Sequence, residues 1–139
     1  MGKVILDYRE LEVYKLAFEG AMHIFELTRS FPREERYSLT DQMRRSSRAI
    51  CSNIAEAWRK RRYAAHFVSK LSDSDAEAAE TMTWLDFALC CQYIGQDMHA
   101  ELSDRYDHIC AKLTKMMNNP DQWCRNFQER RAKGEGGAL

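Results

Sequence analysis

The chain has 139 residues, and its 21 basic and 21 acidic residues leave no net charge at pH 7. The length suits a single domain with one hydrophobic core, as does the lack of an internal Gly/Ser-rich linker. No apolar run approaches the roughly 20 residues of a membrane helix, and the N-terminal sequence lacks an apolar secretory segment. The five cysteines have no C-x-x-C spacing, which argues against a zinc or redox motif and predicts reduced thiols in a cytoplasmic protein.

Strong helix formers are abundant and β-branched residues are few, so the chain is predicted to be all-α. The first predicted helix begins near Leu11 and is ended by Pro32. Its apolar residues form two adjacent stripes with three-four spacing, the wide apolar face of a bundle helix. The stripes are Leu11, Tyr14, Phe18, Ala21, Phe25 and Thr28, and beside them Val13, Ala17, Ile24, Leu27 and Phe31. Residues 33–37 form a polar link.

The second predicted helix runs from about Leu39 to Lys60. When residues are placed 100° apart, the inner face consists of Leu39, Met43, Ser46, Ile50, Ile54 and Ala57. The opposite face carries Arg45, Arg48 and Arg59, with Arg44 on its shoulder. Ser46, Ser47 and Asn53 flank the apolar stripe, where small residues let another helix approach and Asn53 can hydrogen-bond across the gap. A packing role is favoured for these three residues.

The third predicted helix covers about residues 63–94 and is stopped by Gly95, and the fourth covers about residues 98–117. Short links between long amphipathic helices predict an antiparallel up-down-up-down four-helix bundle over residues 1–118.

Residues 119–139 are predicted to form a C-terminal tail that begins at Asn119-Pro120. Trp123 and Phe127 are its candidate anchors, and its Gly-rich end is expected to be disordered.

Charge is sorted along the chain. Residues 41–62 contain seven basic and two acidic residues, whereas residues 73–101 contain seven acidic residues and no Lys or Arg. One explanation is that the two regions complement each other within or between subunits, for instance Arg44 or Arg45 with Glu77 or Glu80. Exposed pairs of this kind contribute less than about 1 kcal/mol each.

A second basic cluster, Arg59-Lys60-Arg61-Arg62, ends the second helix beside Tyr63 and His66. The helix dipole favours cations there, but four in a row exceed what a cap needs. Such a cluster can hold phosphates while an aromatic neighbour stacks on a base. The candidate nucleic-acid-binding residues are therefore Arg44, Arg45, Arg48, Arg59, Lys60, Arg61 and Arg62. In the tail, Arg130, Arg131 and Lys133 could add a mobile basic arm.

Catalytic and metal-binding signatures are missing. None of the four histidines follows a Glu by three residues, as a di-metal bundle requires, and the nucleotide-binding and hydrolase glycine motifs do not occur. Glu19 and His23 share a helix face, but one such pair is more typical of a surface. Cys51 reads as a small buried hydrophobe. We expect no enzyme activity and no cofactor.

Several motifs together resemble a known family. They are Leu11-Glu-Val-Tyr14, Phe31-Pro32, Leu39-Thr40, Gln42 with Arg44-Arg45, Ser52-Asn-Ile-Ala-Glu56, Glu77, Thr81-Met82 and Leu85. Over about residues 8–117 the chain resembles the bacterial four-helix-bundle family of ribosomal RNA intervening-sequence proteins. That family is similar to the accessory variability determinants of diversity-generating retroelements. The chain departs from the pattern at Ala57, where Gly is usual, and at Cys51, where Pro is common.

The resemblance implies a homopentamer around a central channel. It also implies a non-enzymatic accessory protein that binds structured RNA, or that acts on RNA or DNA together with a reverse transcriptase. Trp58, Trp84 and Phe87 lie off the predicted core faces, and exposed aromatics favour a partner surface. Basic and acidic helices would also suit a ring in which unlike surfaces of neighbouring subunits meet.

Two functions are favoured over a third alternative, a metal or redox enzyme. The first is an oligomeric nucleic-acid-binding protein whose basic second helix contacts phosphates with little base readout. The alternative is a protein-protein adaptor or scaffold in which the same arginines pair with acids of a neighbouring subunit or another protein.

Overall fold

The structure, a computed structural model, describes residues 4–124. All regular secondary structure in this range is helical, with no strand, as the composition predicts. The four α-helices are α1 (Glu12–Thr28), α2 (Leu39–Arg59), α3 (Ala64–Cys90) and α4 (Gln96–Asn118). Single-turn 3-10 helices cover Tyr8–Glu10 and Arg33–Glu35, and residues 120–124 are also helical. The predictions for Phe127, Arg130, Arg131, Lys133 and the tail's disordered end lie outside the described residues.

The predicted helix ends differ most from the structure at the end of α3. The helix ends at Cys90, before the expected Ile94, because Gln92 adopts a left-handed conformation with φ of 63°. The Gln92 amide then donates to the Leu89 carbonyl and the Tyr93 amide to the Ala88 carbonyl, both at 2.9 Å. This is the Schellman arrangement that closes a helix C-terminus. Gly95, the predicted stop, instead precedes α4.

The four α-helices surround one hydrophobic core. Helix α1 packs against α2 and α4, and α3 packs against the same two helices. The predicted inner face of α2 is buried at all six positions, and Ser47, Cys51 and Trp58 are buried beside it. The largest wholly buried apolar side chains of the other helices include Ile24, Phe67, Leu71, Leu85, Leu102, Ile109 and Leu113. Each such burial stabilises the fold by about 1.5–3 kcal/mol.

Small polar residues join α2 to α3 inside the core. The Thr81 hydroxyl lies 2.9 Å from the Ser46 hydroxyl, and the Ser74 hydroxyl donates to the Ile50 carbonyl at 2.8 Å. The packing role predicted for Ser46 therefore has a structural basis, since a larger side chain would separate the helices. Asn53 is half-buried, but within residues 4–124 it makes no hydrogen bond across the gap.

The connection between α1 and α2 is held by one carboxylate. Glu35 accepts hydrogen bonds from the Ser38 hydroxyl at 2.6 Å, the Leu39 amide at 3.3 Å and the Tyr93 hydroxyl at 2.8 Å. The bond from the Leu39 amide caps the start of α2, the bond from Ser38 holds the carboxylate beside it, and the bond from Tyr93 reaches the link between α3 and α4. The Tyr93 ring also packs on Phe31, with centroids 5.2 Å apart. This contact fixes the 3-10 turn that carries Arg33 and Arg36.

Within the part of the chain that the structure describes, none of the helices combines the length and apolar character needed to cross a membrane.

Candidate nucleic-acid interface

The outer face of α2 presents cations to solvent. Arg45, Arg48 and Arg59 are exposed and lie opposite the buried stripe, as the 100° spacing predicts. Arg45 has 76% of its side chain exposed and meets Asp41 only at 3.9 Å, one turn earlier on the same helix. A contact this exposed contributes little free energy, so the guanidinium remains available to an anion.

Arg44 is differently placed because it joins α2 to α1. Its Nε donates to the Thr28 hydroxyl at 2.9 Å, and its Nη2 lies 3.5 Å from the Phe25 carbonyl. The guanidinium also stacks over the Phe25 ring, 4.7 Å from the centroid. Neither Arg44 nor Arg45 forms an ion pair with Glu77 or Glu80, so the pairing suggested by the sequence is not made inside one subunit.

The four basic residues at the end of α2 differ in exposure. Arg59 and Lys60 are exposed, whereas Arg61 and Arg62 are half-buried. Arg61 folds back onto its own helix, with Nε donating to the Trp58 carbonyl at 2.7 Å and the guanidinium 3.4 Å from the Trp58 ring centroid. Of the seven predicted residues, the structure thus presents four openly and holds Arg44, Arg61 and Arg62 partly against the protein.

The four open cations form a line rather than a single cluster. Arg59 follows Arg45 by fourteen positions, which is about 21 Å along a helix at 1.5 Å per residue. Beyond the second group lie the exposed rings of Tyr63 and His66, with centroids 5.3 Å apart. This arrangement can contact an extended polyanion at two points and offer an aromatic surface at one end.

A groove between α2 and α3 combines both charges. Its cavity of about 630 Å³ is lined by Gln42, Arg45, Ser46, Arg48, Ala49, Ser52, Glu77 and Glu80. Burial raises the pKa of Glu77, and the nearby carboxylates of Glu80 and Asp73 raise it further. Glu77 therefore forms no ion pair with a cation among the described residues, although Arg45 and Arg48 line the same groove.

Sequence reasoning missed three arginines near the α1–α2 connection. Arg29, Arg33 and Arg36 line one pocket together with Arg44. Arg33 and Arg36 lie in a link that also contains two glutamates. The link therefore has no net charge and was not predicted as a basic site. The useful signal would have been that Glu35 can serve as a cap for α2 and so turn away from the arginines.

One aromatic prediction is wrong. Trp58 is only 5% exposed, because Arg61 covers its ring and Trp123 packs against it with centroids 6.3 Å apart. Phe87, in contrast, is 54% exposed beside the half-buried Trp84, and on α1 Phe18 and Met22 are each about half exposed. Exposed apolar side chains therefore occur on α1 and α3, and also before α1 at Val4 and Leu6.

The thiols within residues 4–124 are free cysteines, and burial affects their chemistry. Burial raises the pKa of the Cys51 thiol to about 11, so this thiol is protonated at neutral pH and is a poor nucleophile. Burial, with a smaller effect of Asp75, raises the pKa of Cys110 to about 12. Among residues 4–124, no group of three or more His, Cys, Asp or Glu side chains is arranged to hold a metal ion.

Comparisons with known proteins find a matching family and a solved structure of similar fold. Residues 9–115 match the model of a family described as 23S rRNA-intervening sequence protein. A crystal structure of a protein of unknown function from the S23 ribosomal protein family, from Bacteroides thetaiotaomicron VPI-5482, is similar with a TM-score of 0.70 and 26% identity. The similarity covers 76% of this chain and 95% of that chain. None of the curated proteins matches significantly.

Proposed function

Since the chain belongs to the 23S rRNA-intervening sequence protein family, we propose that it is a non-enzymatic cytoplasmic protein that binds structured RNA through the basic outer face of α2. The observation that carries the proposal is the row of open cations, Arg45, Arg48, Arg59 and Lys60, on a helix whose opposite face is buried. A partner that follows this row must be an extended anion, and RNA fits both the charge and the family.

The binding we propose is electrostatic. Arginines that meet phosphates displace condensed counterions, so affinity falls steeply as salt rises. Phosphate contacts position a protein without reading bases, and we expect little sequence preference. Arg44 adds to this face only through the edge of its guanidinium, because its Nε is already bonded to Thr28.

We also propose that the helices alternate in direction and that the bundle assembles as a homopentameric ring. The order of contacts supports the first part: Ser46 meets Thr81, Ile50 meets Ser74, and Glu56 meets Lys70 at 3.6 Å, so α2 and α3 run in opposite directions. The exposed Phe18 and Met22 on α1 and Phe87 on α3 support the second part, because apolar surface of this kind favours a partner. A ring would repeat the basic face and raise affinity by multivalency.

Fluorescence anisotropy with a labelled RNA stem-loop tests the proposal. We expect Arg45→Gln/Arg48→Gln and Arg59→Gln/Lys60→Gln each to weaken binding about tenfold at low salt and to reduce the slope of log K against log salt by about two. The matched control is Arg9→Gln/Lys15→Gln, which removes two exposed cations that lie outside α2. Equal affinity for the two α2 variants, the control and the wild type would show that the α2 face does not bind RNA.

The groove with Glu77 favours a second candidate, a protein adaptor in which Arg45 or Arg48 meets an acid of another chain. In that case Arg45→Glu would lower the mass of the assembly measured by light scattering. Adding RNA would not change the mass of the wild type. A reverse transcriptase remains a further candidate partner. Retention of such an enzyme on the immobilised protein, lost with Arg59→Gln/Lys60→Gln, would support it.

A further inference from the structure

A pocket at the α1–α2 connection gathers positive charge more densely than the α2 face. Its cavity of about 380 Å³ is lined by Thr28, Arg29, Phe31, Pro32, Arg33, Arg36, Thr40 and Arg44. Four of these eight residues are arginines and none is acidic. We propose that this pocket binds a phosphate of the RNA backbone, an inference that rests on the RNA-binding function proposed above.

The lining distinguishes this pocket from the groove between α2 and α3. In that groove Glu77 and Glu80 oppose Arg45 and Arg48, so an anion would meet repulsion from one wall. In the pocket every charged side chain attracts an anion. A phosphodiester carries its charge on two free oxygens, and the planar fork of arginine matches such oxygens in pairs.

Arg44 is the preorganised cation of the pocket. Thr28 and the Phe25 carbonyl hold its Nε and Nη2, and the Phe25 ring supports the plane of the guanidinium. Its Nη1 makes no hydrogen bond to residues 4–124. A side chain already held in place loses less conformational freedom when it binds, so more of the interaction appears as affinity.

Arg33 and Arg36 are placed by the 3-10 turn between the helices. Glu35 in the same turn accepts from Ser38, Leu39 and Tyr93, so its charge is engaged away from the arginines. Arg33 has no ion pair among the described residues, and the guanidinium of Arg36 rests 5.1 Å from the Tyr37 ring centroid. Both are exposed and can turn toward a phosphate.

The remaining walls complete the pocket. Arg29 meets Glu26 at 3.4 Å, but both side chains are more than 60% exposed, so a phosphate can compete for this arginine. Thr40 belongs to the first turn of α2, where the positive end of the helix dipole adds to the attraction. Its side chain is buried, and its hydroxyl makes no hydrogen bond to the described residues.

The decisive variant is Arg33→Gln/Arg36→Gln, because both side chains are exposed and neither holds the fold together. With the labelled RNA stem-loop we expect about a tenfold loss of affinity at low salt and a salt slope reduced by about two. The control Arg9→Gln/Lys15→Gln removes the same charge, and unchanged melting temperatures establish that both variants fold. If the wild type binds RNA and the Arg33/Arg36 variant binds equally well, the pocket inference is wrong while the proposed function stands.

A second experiment distinguishes a phosphate of RNA from free phosphate as the ligand of the pocket. The melting temperature of the wild type is measured in sodium phosphate and in sodium chloride of equal ionic strength, without RNA. If the wild type does not bind RNA, the proposed function and the RNA assignment of the pocket both fail. A melting temperature raised by phosphate in the wild type but not in Arg33→Gln/Arg36→Gln would then assign the pocket to free phosphate. No shift in either protein would overturn the pocket as a phosphate site.

Discussion

Helix α1 approaches α4 closely at Gly20, a residue without a side chain. A Cβ added to Gly20 would lie 2.8 Å from the Tyr106 hydroxyl and 3.1 Å from Cδ of Arg105. Tyr106 is wholly buried, and its hydroxyl has no hydrogen-bond partner among residues 4–124. The glycine therefore makes room for a polar group that receives no hydrogen bond in return.

Replacing Tyr106 by Phe is expected to stabilise the protein. An unpaired buried hydroxyl costs about 1–3 kcal/mol of desolvation, and its removal leaves a ring of nearly the same shape. We expect Tyr106→Phe to raise the free energy of unfolding by about 1 kcal/mol, as measured by urea denaturation. A loss of stability would mean that the hydroxyl has a partner in solution, for instance at a subunit interface.

Gly20→Ala is expected to destabilise the wild type but not the Tyr106→Phe variant. Alanine improves helix propensity by about 1 kcal/mol, whereas the contact at 2.8 Å forces overpacking that costs about 1–3 kcal/mol. Without the hydroxyl, the nearest atom of the ring would be Cζ at 3.2 Å. A double-mutant cycle should therefore give a coupling of about 1 kcal/mol. Additive effects would show that α1 and α4 move apart to accept the methyl group.

At the scale of whole elements, the Glu35 contact determines how the two connections at one end of the bundle are held. The hydrogen bond from Ser38 lowers the pKa of Glu35, with further help from Tyr93 and the Leu39 amide. The same contact with Glu35 raises the pKa of Tyr93 to about 12. The contact is thus most stable at pH values above the protonation of the Glu35 carboxylate and below the deprotonation of the Tyr93 phenol.

Stability should depend on pH accordingly. A lowered folded-state pKa means that the Glu35 contribution is present above the usual glutamate pKa and is lost as acid protonates the folded state. The raised pKa of Tyr93 means that its contribution is present below about 10 and is lost between about 10 and 12. The Glu35→Gln variant should melt below the wild type at pH 7, and this difference should shrink toward acid. A difference that is constant with pH would exclude the carboxylate as the cause.

The sequence predicted where the helices lie better than where they end. It predicted which residues of α2 are exposed better than which arginines are held against the protein. Periodicity places Ile50 and Ile54 inward and Arg45 outward, because a helix of 3.6 residues per turn fixes direction without knowledge of the neighbours. It could not foresee that Gln92 would take a left-handed conformation, that Arg61 would fold over Trp58, or that Arg33 and Arg36 would join Arg44. The first is a local backbone conformation and the others depend on side-chain contacts, and spacing alone encodes neither.

For the whole molecule, zero net charge conceals an uneven surface. The α2 face and the pocket beside it are basic, while Glu77 and Glu80 form one wall of the adjoining groove. Neither acid forms an ion pair within residues 4–124, and after burial the neighbouring Glu80 carboxyl is the main cause of the raised pKa of Glu77. A cation from a neighbouring subunit would reverse that effect. Stability measured at different protein concentrations can therefore report on assembly.

The sign of the effect of Glu77→Gln should change with concentration. In a dilute, separated subunit the raised pKa means that ionised Glu77 opposes folding as pH rises through that pKa, so Gln should raise the melting temperature at pH 7. In a ring where an arginine of the next subunit meets Glu77, the Glu77→Gln variant loses a favourable ion pair. Its melting temperature should then be lower than that of the wild type. Glu101→Gln, at an exposed position on α4, is the control. Calorimetry gives the melting temperature at low and at high protein concentration, and light scattering gives the mass of the assembly at each. A rise at both concentrations would place Glu77 outside any subunit contact, and a fall at both would mean that the contact persists even in dilute solution.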